Sequence, residues 1–178
     1  MKINDEYILK DGSKVVIREV DTSDAFLLID YIAKVGGESN NLTFGEGGFG
    51  LTINEEVEII ENKKKSNGLW LVAFIDGELV GNSSLDVPSR ERLKHTSSLG
   101  ITVLKKYWGN GIGNLMMKTI VNYAKENKVE VITLSVRTDN ITAINLYKKW
   151  GFETIGTYKK NLKIDNRYFD TYIMHRYL

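Results

Sequence analysis

Gly109, Gly111 and Gly113 alternate with other residues in a short segment, and the apolar pattern of a helix follows directly. Glycines at a strand-to-helix junction leave backbone N–H groups uncovered by Cβ atoms, at the positive end of the helix dipole. A phosphate or diphosphate is the ligand that such a corner binds. The same spacing is also typical of an ordinary tight turn, so the glycines alone do not decide between these interpretations.

Two common phosphate-binding motifs do not fit this segment. A P-loop requires Gly-Lys-Ser or Gly-Lys-Thr, whereas Asn114 follows Gly113. A dinucleotide-binding fingerprint requires Gly-x-Gly-x-x-Gly, whereas these glycines are spaced by two throughout. The segment is therefore neither a P-loop nor a dinucleotide-binding fingerprint, and its glycine spacing still leaves the phosphate corner and the tight turn open.

A second pattern lies between Asn140 and Phe152 and reads Asn-x-x-Ala-x-x-Leu-Tyr-x-x-x-Gly-Phe. Together with Val103-x-x-x-x-Trp108-Gly109-x-Gly111-x-Gly113, it resembles the two hallmark motifs of the GNAT acetyltransferases, in the same order. The resemblance covers nearly the whole chain, from Val15 to Tyr177. It implies one α/β domain over residues 1–178, with a mixed, mostly antiparallel sheet, a splayed central strand pair and about four flanking helices.

The resemblance also implies acetyl-CoA as the cosubstrate. No metal is expected, because the chain has no cysteine and only two histidines, far apart in sequence. In the family, the pantetheine arm pairs with main chain as if it were an added strand, and the glycine corner holds the diphosphate. The implied contacts are Ile101, Val103, Trp108, Gly109, Asn110, Gly111, Ile112, Gly113, Asn114 and Asn140. Trp108 departs from the family pattern, because many relatives carry Arg or Gln at this place.

Tyr147, within the second motif, is the candidate general acid. A phenol with a pKa of about 10 stays protonated at neutral pH and can donate to a leaving thiolate, whose conjugate acid has a pKa of about 8.5. The alternative is that Tyr147 only packs beside Leu146 on the apolar helix face. The chain contains no cysteine, so we expect direct attack by the amine in a ternary complex instead of a cysteine-bound acyl group.

The sequence leaves the general base open. Many relatives place a glutamate on the strand that corresponds to Ser97–Val103, which contains no acid here. The candidates are Asp86 on the preceding strand, Glu46 in a glycine-rich loop on the acceptor side, and His95. The missing glutamate and Trp108 keep a second function open, that of a weakly active or inactive acyl-CoA-binding protein. A nucleotide-binding regulatory module is a third.

Composition excludes several other classes. The 24 basic and 23 acidic side chains give a net charge of +1, which offers no global attraction to nucleic acid or to an anionic membrane. The N-terminus carries early acids and no apolar signal segment, so we expect a cytoplasmic protein.

The expected acceptor is the amine of a small molecule or a peptide. Homodimerisation, which is common in the family, is a further expectation.

Hydrophobic periodicity predicts the elements that position these residues. Asp11-Gly12 and Asp76-Gly77 predict hairpin turns. Thr52 to Glu55 is a capping box that opens a helix, with Ile53, Val57 and Ile60 expected to face inward. A strong helical stripe follows the glycine corner, formed by Ile112, Leu115, Met116, Thr119, Ile120 and Tyr123.

Overall fold

A computed structural model describes residues 2–178 of the protein. Within these residues, strands of alternating apolar residues, joined in part by turns that contain glycine, form one sheet. The strands are β1 (Asn4–Ile8), β2 (Lys14–Glu19), β3 (Leu69–Ile75), β4 (Glu78–Asp86), β5 (Thr96–Val103), β6 (Val131–Arg137), β7 (Glu153–Ile164) and β8 (Arg167–Tyr177). Their spatial order is β1-β2-β3-β4-β5-β6-β8-β7. Each neighbouring pair is antiparallel except β5 and β6, which are parallel.

Four α-helices cover the two faces of the sheet. They are α1 (Ala25–Glu38), α2 (Ile53–Lys64), α3 (Ile112–Glu126) and α4 (Ile141–Lys149). The side chains of β3 alternate between the two faces of the sheet. Leu71 and Ala73 pack with α3 on one face, whereas Trp70 and Val72 pack with α1 and α2 on the other. The predicted mixed sheet with four helices is confirmed. No helix within residues 2–178 is both long and apolar enough to cross a bilayer.

The central parallel strands separate along their length. β5 and β6 pair only through Thr96–Ser98 and Val131–Thr133. Beyond these residues β5 stays paired with β4 as far as Val103, while β6 stays paired with β8 as far as Arg137. The predicted splayed pair is therefore confirmed, and it leaves a gap in the middle of the sheet.

The inward face of α2 differs from the prediction at one position. Ile60 is buried and Val57 is half-buried, but Ile53 is 50% exposed. Ile53 is the first helical residue, and helical side chains lean toward the N-terminus, so Ile53 points past the start of the helix. Glu56, one turn before Ile60, is buried instead, at 6% exposure.

Candidate active site

The corner between β5 and α3 has the open backbone that its glycines predict. Gly109 and Gly111 have φ angles of 82° and 96°, in the left-handed region that glycine adopts without strain. A Cβ atom added to either glycine would meet nothing within 4 Å. α3 begins at Ile112, and the first N–H groups of a helix have no partner inside it. The corner therefore offers donors and free space to a diphosphate.

β5 turns the main-chain groups of alternate residues toward the gap. The Leu104 N–H donates to the Val80 carbonyl oxygen on the β4 side, at 2.9 Å. Residues of antiparallel strands alternate between hydrogen-bonded and non-hydrogen-bonded pairs, so Val103 and Ile101 direct their N–H and C=O groups away from β4. β6 has already diverged at this level. The residues present therefore fit the cosubstrate that the sequence implies, because an extended amide-containing arm can pair here as an added strand.

Three asparagines of the predicted contact set have protein partners. The Asn140 side-chain oxygen accepts from the Ala143 N–H at 3.3 Å and caps α4. The Asn114 side-chain oxygen accepts from the Trp150 indole N–H at 3.1 Å, and the Asn110 amide donates to Asp11 at 2.9 Å. These contacts hold the corner and the start of α4 in place, and direct contact with the cosubstrate stays a prediction.

Tyr147 lies on α4 in the core beside the gap. It is 8% exposed, and its ring centroid lies 5.8 Å from that of Phe152. Burial raises the pKa of Tyr147 to about 12, so the hydroxyl carries its proton across the neutral range. No residue within 2–178 hydrogen-bonds this hydroxyl, yet it is not sealed from solvent, because every sealed side-chain nitrogen or oxygen in that range has a partner. Its donor capacity is therefore available to a ligand.

A cavity of about 520 Å³ lies on the α1–α2 face of the sheet, over β3, β4 and β5. Its wall is mainly apolar and includes Phe44, Phe49, Leu51, Ile59, Trp70 and Ile101. Ile101 lines this cavity and also packs against the core on the opposite face. The cavity therefore borders the same strand that turns main-chain groups into the gap, so two reactants can approach one another from opposite faces.

Comparisons with known proteins agree with this arrangement. Residues 43–152, more than half of the chain, match the family model described as the acetyltransferase (GNAT) family. The chain belongs to the GNAT acetyltransferase family. The resemblance inferred from the two motifs is thereby confirmed.

Curated GNAT relatives differ in the acceptor that their names state. The chain is 38% identical to the L-amino acid N-acetyltransferase AaaT of Escherichia coli K12 over 107 residues, which span 60% of this chain and 66% of that protein. It is 32% identical to the N-alpha-acetyltransferase of Sulfurisphaera tokodaii over 130 residues, which span 65% of this chain and 72% of that protein. The match to the E. coli protein thus covers just under two thirds of its length.

Solved GNAT structures share the fold over nearly the whole chain. The GNAT acetyltransferase of Streptococcus pneumoniae superposes with a TM-score of 0.89 at 28% identity, over 92% of this chain and 99% of that one. The protein yncA of Salmonella typhimurium, solved with its cofactor acetyl-CoA, superposes with a TM-score of 0.81 at 17% identity, over 92% and 94% of the two chains. The second likeness shows the fold alone.

Trp108, which departs from the family pattern, has a protein partner beside the gap. Its indole N–H donates to the Val103 carbonyl oxygen at 2.7 Å, and the side chain is 46% exposed. This carbonyl is one of the acceptors that face the gap. An arm that pairs with β5 must therefore displace the indole or share this carbonyl oxygen with it, since a carbonyl oxygen can accept two hydrogen bonds.

We expect Trp108→Phe to tighten CoA binding by about 2–10-fold, because it keeps an aromatic ring but frees the Val103 acceptor of a hydrogen bond worth about 0.5–1.5 kcal/mol. Titration calorimetry with CoA measures this. ADP, which carries a diphosphate but no pantetheine arm, serves as the control ligand and should bind both proteins alike. Unchanged or weaker CoA binding would show that the indole competes with nothing.

The three residues that the sequence offered as candidates for the general base lie in different places. Asp86 lines the cavity, but it is ion-paired with Lys63 and its side chain is 61% exposed. Glu46 is exposed and packs against Gly37 at the end of α1, outside the cavity lining. His95 also lies outside the lining, and its carbonyl oxygen accepts from the N–H groups of Glu130 and Val131. Only Asp86 of these three is brought to the cavity.

Glu56 is a cavity residue that the sequence analysis did not single out. It lines the cavity, and within residues 2–178 no hydrogen bond or ion pair acts on its carboxylate. Burial raises its pKa. Its position in the sequence could have identified it. Glu56 lies three residues after Ile53 and four before Ile60, so it interrupts the helix face on which apolar residues were expected.

Proposed function

We propose that the chain is an N-acetyltransferase that transfers an acetyl group from acetyl-CoA to a primary amine of a small molecule or a peptide. The observation that best supports this proposal is the gap between β5 and β6. There Ile101 and Val103 present main-chain groups between the glycine corner and the apolar cavity. The named activities of the relatives support a primary amine as acceptor, because an amino acid and a protein N-terminus share that group.

The protein's own groups support direct attack in a ternary complex. Acetyl-CoA supplies a thioester, which an uncharged amine attacks without a covalent protein intermediate. Tyr147 holds a proton that it can give to the departing sulfur. The glycine corner and the β5 main chain fix the position of the cosubstrate, which lowers the entropic part of the barrier.

A second candidate function is that of an acyl-CoA-binding protein with little or no turnover. The Trp108–Val103 hydrogen bond favours it, since it occupies an acceptor in the gap. The two functions differ in turnover and not in CoA binding, so one assay separates them.

The test measures thiol release from acetyl-CoA across a chemically broad panel of amines, together with the thermal shift that CoA induces. We expect CoA to raise the melting temperature and at least one amine to release thiol in proportion to amide formed. A CoA shift without thiol release would favour the binding protein. A larger shift with ATP or NAD than with CoA would instead favour the nucleotide-binding module.

A further inference from the structure

Glu56 is an unpaired carboxylate in a mostly apolar cavity. Glu56 is 6% exposed. The space that it faces is lined mainly by aromatic and aliphatic side chains, together with five uncharged polar ones: Asn62, Ser66, Asn82, Ser84 and Thr102. Its oxygens still reach solvent, since every sealed side-chain oxygen within residues 2–178 has a partner, but burial removes part of their hydration and no protein group replaces it. A buried carboxylate without a partner lowers the stability of the folded protein. Residues that are kept despite such a cost are typically functional.

The other charges in the cavity already satisfy one another. Besides Glu56, the only charged residues that line it within the described chain are Lys63 on α2 and Asp86 on β4. Lys63 is ion-paired with Asp86 and donates to the Leu85 carbonyl oxygen at 2.9 Å. The three side chains sum to one negative charge, which belongs to Glu56. The cavity is therefore complementary to one cationic group on an apolar body.

We propose that Glu56 binds the ammonium group of the acceptor and takes its proton, and that the acceptor is a primary amine with an apolar substituent. The inference rests on the proposed function. The substituent would pack against Trp70, Phe44 and Phe49, whose rings line the cavity. A polyamine fits less well, because its second and third charges would meet an apolar wall and a lysine that is already paired.

The proton balance follows from these assignments. The ammonium gives one proton to the Glu56 carboxylate, which later releases it to solvent. The uncharged nitrogen forms a bond to the acyl carbon while the carbon–sulfur bond breaks, and the sulfur receives the Tyr147 proton. The nitrogen loses a second proton, which restores the Tyr147 hydroxyl. One amide, one thiol and one released proton result.

The raised pKa of Glu56 suits this role in a second way. A base is most effective when its pKa lies near the working pH, and burial moves the carboxyl of Glu56 in that direction. As the pH falls through this pKa, Glu56 takes up a proton and can no longer accept one from the amine. We therefore expect an acid limb in the pH profile of kcat/KM that depends on Glu56.

The first experiment is equilibrium binding, which does not require turnover. We expect Glu56→Gln to weaken the binding of 2-phenylethylammonium, measured by calorimetry near neutral pH, by about 10–100-fold, as for the loss of a charged hydrogen bond. Glu58→Gln is the matched control, because it makes the same chemical change at an exposed position of the same helix. CoA binding should be the same in all three proteins. Equal amine affinity in the wild type and Glu56→Gln overturns the proposal.

The second experiment compares stability, which separates a functional role from a structural one. A carboxyl whose pKa is raised by folding makes the folded state lose stability as pH rises from about 4.3 through that raised pKa. Glu56→Gln lacks this loss, so its melting temperature at neutral pH should equal or exceed that of the wild type. A lower melting temperature at pH 7 would show that Glu56 supports the fold, and would overturn the proposal.

The third experiment measures turnover. 2-Phenylethylamine and a tripeptide with an apolar first residue distinguish a free amine from a peptide N-terminus, and spermidine is the polycationic comparison. We expect either apolar amine to exceed spermidine in kcat/KM by at least about 10-fold, with the acid limb absent in Glu56→Gln. A preference for spermidine, or an unchanged acid limb, overturns the proposal. Absence of turnover with every amine would contradict the proposed acetyltransferase instead, and the binding and stability results would still decide the role of Glu56.

Discussion

Tyr147→Phe should lower kcat by about 10²–10³-fold, since general acid catalysis contributes factors of about 10²–10⁴. The substitution removes only the hydroxyl that can protonate the departing sulfur. The ring keeps its packing against Phe152, and the hydroxyl makes no hydrogen bond within residues 2–178. CoA affinity and melting temperature should therefore stay close to those of the wild type. Steady-state kinetics, calorimetry and thermal unfolding measure the three quantities.

The pH dependence provides an independent check on this role. Because burial raises the pKa of Tyr147 to about 12, its proton is retained well into the alkaline range, and kcat should show no alkaline decline below about pH 10. Tyr177→Phe makes the same change at an exposed position near the C-terminus and should leave kcat unaltered. If Tyr147→Phe retained the full rate, the residue would only fill space in the core.

The open glycine corner was predictable from sequence because its conformation is set locally. Gly109 and Gly111 supply a backbone conformation, and the β5-to-α3 corner needs only neighbouring residues to form it. Tyr147 is likewise positioned by a short helix whose N-cap, Asn140, belongs to the same motif. Spacing along the chain was therefore enough to predict the local structure around these residues, while their roles in binding and catalysis stay predictions.

The cavity proposed for the acceptor was not predictable because residues far apart in sequence build it. Glu56 lies on a helix whose periodicity predicts apolar residues at its position. Spacing also does not predict that Lys63 of the same helix is ion-paired with Asp86 of β4. Trp108 was identified only as a departure from the family, since its hydrogen bond to Val103 depends on a side-chain conformation that spacing does not determine. Ile53 was expected inward, but it stands at the helix start and points past it.

The loop between α1 and α2 (residues 39–52) contributes much of the cavity wall and is held at two points. Near its start, the Arg137 guanidinium donates to the Asn40 carbonyl oxygen at 2.7 Å and is itself paired with Asp139. Further along, the Gly45 carbonyl lies directly against Gly36 of α1. The shape of the cavity therefore depends on how closely α1 and this loop approach one another.

Gly36→Ala should both destabilise the protein and weaken acceptor binding. An added Cβ would lie 2.1 Å from the Gly45 carbonyl oxygen, so α1 or the loop must move apart. Overpacking of this kind costs about 1–3 kcal/mol. A net loss of about 2 kcal/mol would lower the melting temperature by about 4–8 °C. Because Phe44 and Phe49 of the displaced loop line the cavity, KM for the amine should rise by about 10-fold, while CoA binding stays unchanged.

Gly37→Ala is the matched control, because the next residue of the same helix is exposed and has room for a methyl group. Its Cβ would meet the Glu46 side chain at 3.5 Å, an ordinary contact, and alanine is better than glycine in a helix by up to about 1 kcal/mol. We therefore expect the melting temperature of Gly37→Ala to rise by up to about 4 °C, with KM unaltered. If the two variants behaved alike, helix propensity and not the α1–loop contact would govern this region. Opposite shifts, with the change in KM confined to Gly36→Ala, would show that the spacing between α1 and the loop sets the shape of the acceptor site.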